Sequence, residues 1–257
     1  MSHILIYLFP ITVLFVSNVT FAQPDSKISS KTNPQHFAVV ELFTSEGCSS
    51  CPPADKLLAE LVRNEKENSR NIFPISFHVD YWNYIGWTDP FSDPAYSDRQ
   101  RKYAAAFRTA RIYTPQMIVN GKVEFVGSDR GAAKEKIEDA LRQPAQVELY
   151  LDVKLNEDQK ELSIEYEAKG FGANRVLNIV IVERGLSSQV TKGENRNRML
   201  NHENVVRKFV TLKISHSGND VVKIKIPQNI KIEKSSIVAF IQNQKTMEIL
   251  GAVGLDL

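Results

Sequence analysis

Two cysteines are all that this chain of 257 residues contains, and both fall in one Cys-x-x-Cys. A secreted domain stapled for stability shows several cysteines at wide spacing, so a disulfide scaffold is excluded. A structural zinc site is short of ligands as well, with no second Cys-x-x-Cys and no close Cys/His pair. Neither sign of charge dominates: 32 Lys and Arg against 30 Asp and Glu leave a net +2. Nothing therefore calls for nucleic acid or an acidic surface as a partner. There is no internal repeat, and no low-complexity tract beyond a short polar linker. Outside the N-terminus no apolar run approaches the length of a membrane span. What remains is ordinary globular usage, 42% hydrophobic and 24% charged, enough for a sizeable core in one or two domains.

The N-terminal run, Ile4 to Val16, is broken only by Pro10 and Thr12, and Thr20-Phe21-Ala22 follows with small residues where a signal peptidase reads. Residues 1–22 read as a secretory signal cut after Ala22. The alternative is an uncleaved anchor, for which Ile4 to Ala22 is barely long enough. The expected place is across the inner membrane, in the periplasm, with no membrane attachment after cleavage. Residues 23–36 are polar and bracketed by proline, and read as a linker.

From Phe37 to Phe43 a short apolar run predicts a buried strand. Cys48-Ser-Ser-Cys51-Pro-Pro then opens a helix through Leu57, Leu58, Leu61 and Val62 at helical spacing. Residues 72–79 predict a second strand, and Pro94 to Arg108 a helix. Pro115 to Val119, Asn120-Gly121 and Lys122 to Val126 predict a hairpin, and Asp129 to Arg142 a last helix. This order predicts an α/β domain with a mixed sheet over 37–143. After Pro144 the period changes to two, as in Val147, Leu149, Leu151 and Val153. About seven strand-like runs predict a separate all-β, sandwich-like domain over 145–257.

The chemistry sits in the cysteine pair. A bridge closing so short a loop removes little unfolded-state entropy, which turns the reading towards redox work. Thiol–disulfide exchange needs a thiolate, and a helix N-terminus lowers a thiol pKa with unsatisfied N–H groups and the positive dipole end. Cys48, after Gly47, is the expected nucleophile, and Cys51, one turn in and less exposed, the resolving thiol. Pro115 begins a strand, where it cannot donate to the ladder, so a cis Thr114–Pro115 bond is expected. Thr114 would then pair with an extended client by strand addition. Glu41, sharing a strand face with Val39 and Phe43, is a candidate proton shuttle for Cys51.

The segments Phe43 to Pro52 and Tyr113 to Gly121 resemble the thioredoxin superfamily, with Gly47 and Ser49-Ser50 where the usual aromatic residue and Gly-Pro would stand. The whole mature chain resembles a bacterial family of secreted proteins known as domain of unknown function 1223, chiefly through Val39 to Asp55, with Gly193-Glu-Asn-Arg196 and Val205-Val-Arg207 adding to it. The resemblance implies a thioredoxin-like fold for 37–143 and an extracytoplasmic compartment.

The expected function is an extracytoplasmic thiol–disulfide oxidoreductase, regenerated by a protein or small-thiol partner and needing no organic cofactor. Two other readings stand beside it. One is a copper or zinc carrier using the thiols with His78 or Met117, with Asp80 at the same strand end. The other is an interaction module without redox turnover. The aromatic stretch Tyr81, Trp82, Tyr84, Trp87 and Phe91 reads as packing against the sheet. Arg196, Arg198, His202, Arg207 and Lys208 read as a solvated basic loop.

Overall fold

The computed structural model describes residues 1, 27–30, 35–68, 70–156, 158, 160–170, 173–214 and 218–257. Apart from Met1, the expected secretory signal lies outside them. In chain order the strands are β1 (Lys27–Ser30), β2 (Ala38–Thr44), β3 (Ile72–His78), β4 (Gln116–Val119), β5 (Val123–Val126), β6 (Glu148–Leu155) and β7 (Glu161–Lys169). They continue with β8 (Arg175–Glu183), β9 (Leu186–Gln189), β10 (Met199–His202), β11 (Val205–Lys213), β12 (Gly218–Lys225), β13 (Ser235–Asn243) and β14 (Ile249–Asp256). The α-helices are α1 (Pro52–Asn68), α2 (Pro94–Ala106) and α3 (Arg130–Leu141).

The local expectations rest on sound chemistry. Proline at the first two positions of α1 takes the place of N–H groups that have no partner inside the helix. Asp93 caps α2 by accepting from the Ala95 N–H, and Asp129 caps α3 by accepting from the Ala132 N–H. Asn120 and Gly121 turn the β4–β5 hairpin with φ of 48° and 65°, as a tight hairpin of that twist requires. Gly121 is further constrained, because a Cβ there would stand 1.9 Å from the Met247 carbonyl oxygen.

The global expectation fails. There is no helix-flanked thioredoxin-like α/β domain followed by a separate sandwich. The protein is mostly β, and eight strands form one mixed sheet in the order β14-β13-β8-β11-β3-β2-β4-β5. The two expected halves meet inside it, where β11 runs parallel to β3 with Val205 opposite Ser76. A four-stranded sheet, β1-β6-β7-β12, and the β9–β10 hairpin complete the strands. β1 falls in the stretch read as a linker and pairs with β6.

One face of the large sheet carries a single core drawn from both halves: Val39, Phe43, Ile75 and Phe77 lie with Val180, Val182, Val238 and Phe240, under Tyr96 and Tyr103 of α2. The opposite face is shared. Over β2 and β4, Ala38, Val40, Leu42 and Met117 pack on α1 and α3. Over β8 and β13, Leu177, Ile179, Ile181 and Ile237 pack on the four-stranded sheet. The alternation read after Pro144 is thus correct as strand pattern, but one layer of the sandwich is the same sheet that holds β2. Short-range periodicity cannot report this, because it shows which face of a strand is apolar and not which strand lies beside it.

Candidate functional site

β2 ends at Thr44, and the chain turns through Ser45-Glu46-Gly47 into Cys48 and α1. The Cys48 N–H donates to the Ser45 carbonyl at 3.2 Å and the Cys51 N–H to the Cys48 carbonyl at 3.2 Å. Cys48 and Cys51 are joined in a disulfide. The Thr114–Pro115 bond is cis, and β4, which follows it, pairs Gln116 with Phe43 on the strand that leads to Cys48. Trp82 links the two segments. Its Nε1–H donates to Thr114 Oγ1 at 2.7 Å, and its Cβ stands 2.9 Å from where a Cβ on Gly47 would be. A larger residue in place of Gly47 would displace Trp82.

The disulfide is sealed: both cysteines are 0% exposed, where Cys51 was expected to be the less exposed of the two. The cover comes from the chain between β9 and β10. Asn195 Nδ2 donates to the carbonyls of Glu46 and Cys48, each at 2.9 Å. Glu194 Oε2 accepts from the Ser49 N–H at 3.0 Å, and the Ser49 hydroxyl and N–H hold its carboxyl below the usual range. A Cβ on Gly193, at φ 73°, would come within 3.2 Å of Ile85 and 3.5 Å of Trp87. The aromatic stretch and the stretch read as a basic loop therefore meet over the cysteines.

Beneath lies a buried polar array. Glu46 accepts from Trp87 Nε1–H at 2.8 Å through one oxygen and from His202 Nε2 at 3.1 Å through the other. Asp89 accepts from His78 Nδ1 at 2.7 Å and from the Glu46 N–H at 2.9 Å. A carboxylate only accepts, so the proton sits on His78 Nδ1 and on His202 Nε2. The imidazoles meet edge to face with centroids 4.7 Å apart, and Phe91 packs against both. Asp55 Oδ2 lies 4.0 Å from His202 Nδ1. Burial opposes a charge on His78, but Asp89, with Asp55 and Glu46 adding to it, raises the His78 pKa. Burial also works against the Asp89 charge, yet His78 and the two backbone N–H donors bring that carboxyl below its usual range.

Glu41 is elsewhere. It lies on the sheet face that α2 covers, opposite the α1 face, in a bidentate pair with Arg99 Nε at 2.6 Å and Nη2 at 2.8 Å. The Tyr103 hydroxyl donates to it at 2.5 Å. Its oxygens are committed to the core. Met117 packs with Leu42 and Ala54. Asp80 accepts from the Ser97 hydroxyl at 2.5 Å, and the cysteine sulfurs are bonded to each other. Among the described residues no group of three or more His, Cys, Asp or Glu side chains is arranged to hold a metal ion. A cleft lined by Phe37, Val119, Lys122, Lys136, Arg142 and Leu250 offers no free charge, since those basic groups pair with Glu248, Glu135 and Asp139.

Of the residues proposed from the sequence, the structure brings together Cys48, Cys51, Thr114 and Pro115, with His78 close below, and sends Glu41 away. Sequence reading missed Glu46, Asp55, Asp89, Asn195 and His202. Two carried a local signal: Glu46 stands two residues before Cys48, and Asp55 one helical turn after Cys51. His202 and Asn195 lie about 150 residues away in the chain, so no local spacing ties them to the cysteines, although Asn195 falls in the Gly193–Arg196 stretch that adds to the family resemblance.

Fold and site together define a mostly β protein in which a Cys-x-x-Cys disulfide, at the start of a helix, rests on a buried histidine–carboxylate array. This chain belongs to the family described as Protein of unknown function (DUF1223), whose model matches residues 39–242. It is similar to the crystal structure of protein AGR_C_4864 from Agrobacterium tumefaciens, at 28% identity and a TM-score of 0.66, with 85% of this chain and 93% of that chain covered. A domain of the outer membrane lipoprotein Omp28 from Porphyromonas gingivalis matches at 16% identity and a TM-score of 0.32, over 44% of this chain and 88% of that one, too slight a likeness to carry an argument. Among curated proteins none matches.

Proposed function

We propose that the protein is an extracytoplasmic thiol–disulfide exchange protein whose working couple is Cys48–Cys51. The observation that supports this most is the placing of the disulfide at the start of α1, directly after a turn whose Glu46 is tied into the buried array. As a staple the bond is weak, because closing four residues is worth only about 2 kcal/mol of unfolded-state entropy. At the start of α1 the positive end of the helix dipole favours a Cys48 thiolate once the bond is reduced. Client sulfur approaches along Thr114 and Trp82, Cys48 takes the mixed disulfide, and Cys51 resolves it. The partner is a protein or small-molecule thiol. A periplasmic setting suits a couple of this type, since disulfides persist in oxidising compartments.

The sealed state supports a second reading, an inert bond in an interaction module, because access requires the 190–198 segment to lift. One measurement separates the two: the reduction potential of the purified mature protein against defined glutathione or dithiothreitol ratios, read by thiol trapping. A reversible two-electron couple at roughly −270 to −120 mV supports exchange. A disulfide that resists these buffers leaves the interaction module.

A further inference from the structure

Buried polar atoms find partners in folded proteins, and an exception asks for a water, an ion or a chemical role. Here four exceptions gather in one place. Thr44 Oγ1, Asp55 Oδ1, His78 Nε2 and His202 Nδ1 have no hydrogen-bond partner among the described residues. Their residues are buried, Asp55 at 7% exposure and the other three at 2% or less. They come from four elements: the end of β2, the first turns of α1, the end of β3, and β10. The other imidazole nitrogens are engaged by Asp89 and Glu46, so both rings are held with their free nitrogens inward. Several unpartnered polar atoms set close together are what an internal water bonds to.

Asp55 joins this cluster to the disulfide. Its N–H donates to the Cys51 carbonyl at 3.1 Å, which sets Asp55 one helical turn after Cys51, and a helical side chain leans back over the preceding turn. We propose that Asp55, with a water held by Thr44, His78 and His202, is the proton donor to Cys51 when the disulfide is opened. This rests on the exchange reading above.

A thiolate of a client dithiol attacks Cys48 Sγ and forms a new S–S bond, while the Cys48–Cys51 bond breaks and its electron pair leaves on Cys51 Sγ. That thiolate is buried, where charge is costly. The Asp55 carboxyl passes its proton through the water, Cys51 becomes a neutral thiol, and the Asp55 carboxylate faces the two imidazoles. The client's second thiolate attacks its own mixed-disulfide sulfur and expels the Cys48 thiolate, which is protonated from solvent. Asp55 is recharged from solvent, and the client leaves oxidised. Burial raises the Asp55 pKa, with the Asp89 charge adding to it, while His202 and His78 draw it back. The groups around Asp55 are thus His202, His78, Thr44 and Asp89, with Glu46 on the far nitrogen of His202 and Arg207 beyond Phe91.

The test is the rate of disulfide opening by dithiothreitol in the full mature chain from pH 5 to 10, read by thiol trapping. Wild type is expected to speed up as dithiothreitol ionises and then bend downward once Asp55 loses its proton. Asp55→Asn should be at least ten-fold slower on the acid side of the wild-type bend and should follow the dithiothreitol thiolate with no bend. Asp55→Glu should restore the bend. His202→Asn, which removes a neighbour that lowers the Asp55 pKa, should move the bend to higher pH. If Asp55→Asn does not fold, the last two variants decide the matter. An Asp55→Asn profile of wild-type shape, slow or fast, or a bend unmoved in His202→Asn, overturns the proton-donor role while leaving exchange intact. A wild-type disulfide inert at every pH overturns the exchange reading and this one with it.

Discussion

Replacing Arg99 with Met tests the claim that the two halves of the chain share one core. Arg99 and Glu41 are both buried, and Arg99 makes four hydrogen bonds: two to Glu41, one to Tyr103 at 3.1 Å and one to Gln242 at 3.2 Å. Gln242 reaches on to the Tyr103 hydroxyl at 2.9 Å, the Met247 carbonyl at 2.6 Å and Asn178 at 3.0 Å. The network thus ties β2 and α2 to β8 and β13. The guanidinium also stands 4.8 to 5.5 Å from the ring centroids of Phe77, Tyr103, Phe209 and Phe240. Removing one partner of a buried pair strands the other charge, at about 3–5 kcal/mol. For a chain of this size that lowers Tm by roughly 6–20 °C. The double variant Glu41→Leu, Arg99→Met leaves no buried charge unpaired and should recover most of the loss. Urea denaturation and calorimetry on the four proteins of the cycle measure this, and unfolding should remain one transition. The opening rate of the disulfide should not change in Arg99→Met, because Glu41 faces away from α1. An Arg99→Met protein within 1 kcal/mol of wild type, on the order of a single ordinary hydrogen bond, or a double variant as weak as the two single losses added together, would refute the reasoning.

Three further outcomes are expected. Asn195→Ala removes both side-chain bonds that hold the cover on Glu46 and Cys48, worth about 1–2 kcal/mol together; dithiothreitol should open the disulfide roughly ten-fold faster, and an unchanged rate would show that the cover does not gate access. Gly121→Ala places a Cβ against the Met247 carbonyl at a φ of 65° and should cost at least about 2 kcal/mol in urea denaturation. The His78–Asp89 pair stabilises the fold between two limits: the raised His78 pKa makes its contribution complete below the unfolded histidine value and lost as pH rises through the folded value, and the depressed Asp89 pKa makes its share present above the unfolded carboxylate value and lost as pH falls through the folded one. The stability difference between wild type and Asp89→Asn should therefore be greatest between those limits and shrink beyond both; a difference constant across pH 2 to 9 would count against the pair.

Much of the local structure was legible because the signals are short-range. Asp93-Pro94 and Asp129 announce the starts of α2 and α3, Asn120-Gly121 announces a hairpin, and Cys48 to Pro53 reads as the opening of α1. Alternation found seven later strands but not β9 or β10, since Leu186-Ser-Ser-Gln189 and Met199-Leu-Asn-His202 are short and mostly polar. Glu41 shows the limit well. Its strand face was read correctly, alongside Val39 and Phe43, but the residue that meets it on that face, Arg99, lies 58 positions on in a helix whose own periodicity is weak.

The sequence by itself determined the helix and hairpin starts, the cis proline's place and the two thiols, because each depends on dihedral preference, capping or side-chain period within a few residues. Tertiary structure alone decided that β3 and β11 join the halves into one sheet. It alone brought Asn195 and His202 over and under the disulfide, and it sent Glu41 to Arg99. Those outcomes depend on which buried surfaces and unpaired polar groups meet across a hundred or more residues, a choice the chain makes only once it is packed.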